Sequence, residues 1–165
     1  MFDIFHTFII HSSAEKIFEG ISAPDGLDNW WTRNSEGNPK TGSVYRLDFG
    51  PEYIWEAIVT KNIGGKEFEF EMTKAEAHWI GTRIGFKLNK KSANTTEVSF
   101  YHTGWPENSE NYRISSYCWA MYLRILKRNI ELGEQVPYAK KIERIMLSKS
   151  FFNFAASGSF SKNES

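Results

Sequence analysis

The chain has 165 residues with 20 basic and 20 acidic side chains, a formal net charge of zero. That is the size of one domain, long enough to bury about 70% of its unfolded surface without a disulfide or a structural metal, and too neutral to be drawn to nucleic acid by charge alone. The lone cysteine, Cys118, excludes an internal disulfide, and no apolar run reaches the ~18 residues of a membrane span. The N-terminus shows no succession of basic, apolar and small-residue segments, so a cytoplasmic location is expected.

Phe2 to His11, apolar and aromatic or β-branched at most positions, predicts a largely buried first strand. Ser12 and Glu15, three apart, form a capping pattern that starts a short helix with Ile17, Phe18 and Ile21 on one side. Pro24 suits the first turn of a second short helix, Ala23 to about Trp31, whose apolar side is Leu27, Trp30 and Trp31. Period-two segments follow. Val44 to Phe49 and Tyr53 to Lys61, separated by Gly50, Pro51 and Glu52, read as a hairpin. Glu67 to Met72 alternates three carboxylates with three apolar groups, which predicts one wet face. Trp79 to Leu88 places Ile80, Thr82, Ile84, Phe86 and Leu88 on one side, and Thr95 to Thr103 sets Val98, Phe100 and His102 opposite Glu97, Ser99 and Tyr101.

The longest helix is predicted from about Glu107 to Gly133, with Pro137 beyond its end. Its apolar residues cover a wide arc that includes Cys118, Trp119, Leu123 and Leu126, so it must lie in something concave. The expected architecture is therefore α+β: two short helices after strand one, a curved antiparallel sheet of about six strands, and a long C-terminal helix gripped across it. Residues 1–147 form a single domain in this reading, and 148–165, rich in Ser, Asn, Phe and Gly, a flexible tail.

The 26 aromatics, 16% of the chain, imply a thick aromatic core or the lining of a hollow. Trp31, Phe49, Trp55, Phe70, Ile84, Phe86, Phe100, Trp119 and Leu123 can all face the space between sheet and helix. His6, His102 or Tyr101 would fix the polar end of a hydrophobic guest there, although each histidine is also readable as a core residue bonded to backbone or water. A preformed hollow of this kind should exceed about 300 Å³. Large aromatics can equally fill it.

Catalytic and metal constellations are missing from the pattern. The four histidines and Cys118 have no ligand spacing, so no metal and no cofactor are expected. There is no nucleophile elbow, Cys118 sits among apolar neighbours that make a thiol inert, and Glu56 lies on the face opposite Trp55. From Pro137 to Phe154, Lys140, Lys141, Arg144 and Lys149 alternate with apolar residues, a mixture that suits a membrane surface, a protein groove or a tail folded back on the body.

The run Ser13-Ala-Glu-Lys-Ile-Phe18, then Ala23-Pro-Asp-Gly-Leu27 and Trp30-Trp31, resembles the start of domains homologous to the activator of the ninety-kilodalton heat-shock protein's ATPase. His102-Thr-Gly-Trp-Pro106 and Tyr117-Cys-Trp-Ala-Met-Tyr-Leu123 are similar to the small bacterial members of that group. The resemblance spans about Phe2 to Tyr138 and implies the helix-grip fold of the START-like (SRPBCC) superfamily, the shape of the birch-pollen allergen. It also implies a choice of roles: a pocket for a small hydrophobic or lipid-like molecule, a protein-interaction module acting on a heat-shock chaperone, or a cyclase- or hydrolase-like enzyme, which has no catalytic constellation in its favour and would need turnover that disappears on His102→Ala.

Overall fold

The computed structural model describes residues 1–145. Along the chain run β1 (Phe2–Ile10), α1 (Ala14–Ser22), α2 (Pro24–Trp30), β2 (Asn34–Glu36), β3 (Val44–Asp48), β4 (Ile54–Ile63), β5 (Glu67–Lys74), β6 (Arg83–Ser92), β7 (Thr95–Trp105), α3 (Glu110–Leu132) and α4 (Tyr138–Ile145). The strands form one antiparallel sheet in the order β1-β7-β6-β5-β4-β3-β2. The seventh strand is the three-residue β2, whose sequence Asn-Ser-Glu carries no alternation to betray it. The rest is the expected α+β helix-grip arrangement, a curved sheet with α3 across it.

Local chemistry sets the ends of the elements. Ser13, one residue later than the sequence suggests, caps α1 by accepting from the Lys16 amide. Glu107 and Asn108 stay outside α3, which starts at the Ser109 cap and ends where Gly133 takes a left-handed conformation, φ 65°. Gly26 lets α1 and α2 cross closely, since a Cβ there would lie 2.5 Å from the Glu19 carbonyl oxygen.

Helix α3 also closes the sheet edge at β1. Tyr112 Oη donates to the Asp3 carbonyl at 2.8 Å, Ser116 O meets His6 Nε2 at 3.2 Å, Lys127 donates to the Ile9 carbonyl, and Glu131 accepts from the His11 amide at 2.7 Å. One stripe of the helix thus covers the outer edge of β1, whose other edge pairs with β7.

Four expectations about the sheet need correction. The first strand is not largely buried: only Ile4 and Ile10 of β1 are, and Phe5 is 67% exposed. Residues 75–82 form a turn before β6, so Ile80 is 54% exposed and not on the inner face. The Glu67–Met72 strand does not present three wet carboxylates, because the ring of Tyr101 covers Glu69. Tyr101 itself lies on the outer face and so cannot hold the polar end of a guest in the interior. It donates to Glu69 Oε2 at 2.6 Å, while Thr60 donates to Oε1 at 2.8 Å. Burial alone would raise the Glu69 carboxyl, but these donors together with Lys61 and Arg83 hold it below its ordinary value. Gly85 makes room for the arrangement: a Cβ there would sit 2.2 Å from the Tyr101 ring.

The start of the predicted basic and apolar segment is α4. Tyr138 Oη donates to the Phe49 carbonyl at 3.0 Å, and the buried Lys141 ammonium donates to the Asp28 carbonyl. This part folds back on the body. The expected tail, 148–165, lies outside the described residues.

Candidate functional site

The space between sheet and α3 is packed with rings. Trp119 lies 4.7 Å from Phe100 and 5.2 Å from Trp31, centroid to centroid, and Phe49 and Trp79 approach Trp55 at 5.0 Å each. Phe86 and Phe100 meet at 5.2 Å, and Tyr45 and Phe70 at 4.9 Å. A crevice remains, with free volume of about 10 Å³, lined by Trp31, Trp55, Trp79, Ser115, Cys118, Trp119 and Tyr122. That is room for one water molecule, far below the ~300 Å³ expected of a preformed small-molecule hollow. This crevice is therefore not itself the large hollow of the sequence reading, and around it tryptophan and phenylalanine side chains interdigitate where smaller residues would leave a void.

Of the residues singled out in the sequence, Trp31, Trp55 and Trp119 line the crevice. Phe49 backs Trp31 and Trp55, while Phe70, Ile84, Phe86, Phe100 and Leu123 are buried in the surrounding core. The two histidines both face inward on neighbouring strands, His6 opposite Phe100 and His102 opposite Ile4. Neither lines the crevice. His6 is half-buried and taken up by the Ser116 carbonyl of α3.

His102 is fully buried. Trp119 Nε1, which can only donate, reaches His102 Nδ1 at 3.0 Å, and His102 Nε2 lies 2.8 Å from Thr82 Oγ1, which in turn donates to the Trp79 carbonyl at 2.6 Å. The imidazole therefore carries its proton on Nε2 and is neutral, burial having pushed its pKa down to about 3. A ring so engaged has no nitrogen left for substrate or metal. Among the described residues no group of three or more His, Cys, Asp or Glu is placed to hold an ion.

The polar groups of the crevice come from residues that periodicity did not flag. Trp79 Nε1, Ser115 Oγ and Tyr122 Oη are buried and make no hydrogen bond among the described residues. The same is true of Trp105 Nε1, outside the lining. Ser115, Cys118, Trp119 and Tyr122 occupy successive turns on one face of α3, and Trp79 comes from the turn before β6. An i, i+3, i+4, i+7 spacing on α3 could have found the first set, whereas Trp79 depends on a turn read as strand. Burial pushes the Cys118 thiol up to about 12 and the Tyr122 phenol well above its usual value, so both remain protonated at neutral pH.

A family model described as Activator of Hsp90 ATPase homolog 1-like protein matches residues 11–131. The chain belongs to that family. The solution structure of the Aha1 dimer from Colwellia psychrerythraea is 31% identical, with a TM-score of 0.73 over 81% of this chain and 99% of that one. A crystal structure of a Staphylococcus saprophyticus protein is 17% identical, with a TM-score of 0.68 over 82% and 96% of the two chains. A Mesorhizobium loti protein is 14% identical, with a TM-score of 0.68 over 81% and 99%. These last two share the fold alone. No curated protein matches the chain significantly. A family built on this fold supplies a binding or interaction domain, and no helix among the described residues is long and apolar enough to cross a membrane.

Proposed function

We propose that the chain is a binding domain whose site is the tryptophan-lined crevice between the sheet and α3, and whose guest is a small molecule with an apolar body. One observation carries this reading: three buried polar groups without partners belong to a single aromatic-lined crevice. Leaving such a group unpaired costs about 1–3 kcal/mol, and three in one place mark a site meant to be satisfied by something else. The guest enters by displacing side chains, because the resting volume of about 10 Å³ admits no more than a water.

Native mass spectrometry of the freshly purified chain, followed by organic extraction, tests the reading. A released small molecule is expected. A chain that is bare in every preparation, and whose tryptophan emission is unmoved by a panel of small aromatic compounds, contradicts it.

The family match favours a second reading, in which an outer surface of the domain modulates an Hsp90-type chaperone ATPase. A pull-down with that chaperone and ATPase rates measured alongside decide it. Stimulation that survives crevice substitutions would place the activity on the surface.

A further inference from the structure

We propose that Trp79, Ser115 and Tyr122 form a subsite for one uncharged oxygen atom, held by a water molecule in the unliganded chain and by the hydroxyl or carbonyl oxygen of a guest in the loaded one. The guest half of this statement rests on the crevice reading above. The argument begins with size. The free volume of about 10 Å³ matches one water, and an internal water needs two to four polar partners. Trp79, Ser115 and Tyr122 supply three, each belonging to a side chain more than nine-tenths buried.

Donor chemistry narrows the occupant. An indole N–H can only donate, so the occupant must accept from Trp79, which excludes an ammonium group. The two hydroxyls can donate or accept, so they suit a carbonyl, an ether or an alcohol. Charge narrows it further. No ionisable side chain of the lining is charged at neutral pH, since Cys118 and Tyr122 are kept protonated by burial. His102, which packs against Trp79 at 4.6 Å between ring centroids, is neutral with both nitrogens engaged. A carboxylate would be stripped of water with no positive partner, and burying an unpaired anion is far costlier than burying a neutral oxygen. The walls are four tryptophans, which favour a flat or compact apolar body behind the oxygen.

Two measurements on the full chain test the subsite. In the first, water-to-protein cross-relaxation at the Trp79 indole proton is recorded with and without phenol. A cross-peak from a long-lived water that disappears on saturation supports the proposal; no such cross-peak in the unliganded chain overturns it. In the second, affinities for phenol, toluene and benzoate are compared in the native chain and in a Ser115→Ala, Tyr122→Phe double variant. The expected pattern is binding of phenol, exclusion of benzoate, and a phenol-to-toluene affinity ratio that falls about tenfold in the variant. An unchanged ratio, or benzoate binding as tightly as phenol, overturns the subsite and leaves the crevice reading standing. If none of the three compounds binds, the crevice reading itself fails, and the guest's oxygen with it.

Discussion

Trp119 and His102 fix one another: the indole N–H donates at 3.0 Å to the only nitrogen of the imidazole that can accept, and the other nitrogen faces Thr82 at 2.8 Å. A protonated His102 would turn Nδ1 into a donor facing a donor, at the centre of the aromatic core. The histidine is a neutral structural linker between α3 and β7.

Its protonation therefore opposes folding. The ordinary value of 6.5 holds in the unfolded chain and about 3 in the native one, so the unfolded state binds the extra proton between those values and stability falls as pH drops through that window. Denaturant unfolding should show a loss on the order of 2 kcal/mol between pH 7 and pH 5, before the carboxylates titrate. In a His102→Gln variant that part of the pH dependence should vanish. A native curve flat from pH 7 to pH 5 contradicts a neutral buried imidazole.

Cys118 reports on whether the crevice opens. Its thiol is buried and pushed up to about 12, so a thiol reagent at pH 7.5 should modify the native chain at least about a hundred times more slowly than the unfolded one. A bound guest should slow the reaction further. Modification at the unfolded rate would mean that α3 does not hold the crevice shut.

On the outer face, Gly85→Ala should cost about 1–3 kcal/mol, because its Cβ would fall within 2.2 Å of the Tyr101 ring that shields Glu69. In a Tyr101→Ala background the same change should cost much less. Additive effects in that double-mutant cycle would show that the ring and the glycine do not interact.

Lys141 sets the pH behaviour of α4. Burial lowers its pKa from 10.5 to about 8, so docking requires an amine that prefers to be neutral, and the docked form gains as pH rises from about 8 towards 10.5. Limited proteolysis at the segment joining α3 and α4 should slow over that interval. Lys141→Met should hold α4 docked more firmly at neutral pH and remove the dependence. Unchanged cleavage between pH 7.5 and 9.5 would contradict the burial of the amine.

Much of this fold was legible in the sequence, and the exceptions share a cause. Alternation marked β3 to β7, and the Gly133 stop marked α3, because those elements present one face to water and one to the core. The aromatic surplus pointed to this space, but composition counts rings without packing them, and the interlocking of Trp31, Trp55, Trp79 and Trp119 depends on how distant segments meet. Glu69 was misplaced because a carboxylate covered by a neighbouring strand's tyrosine has the same local pattern as an exposed one. Trp79 was counted into a strand because the turn at 75–82 contains no proline and its one glycine, Gly81, fits an alternating run.

The most direct test follows the six tryptophan indole N–H signals by NMR while phenol is added to the full chain. The account predicts that Trp79 moves most, together with the crevice neighbours Trp31, Trp55 and Trp119, while Trp30, bonded to the Gly20 carbonyl, and Trp105 stay in place. Saturating phenol that leaves the Trp79 signal unmoved, or shifts only Trp30 and Trp105, would contradict it.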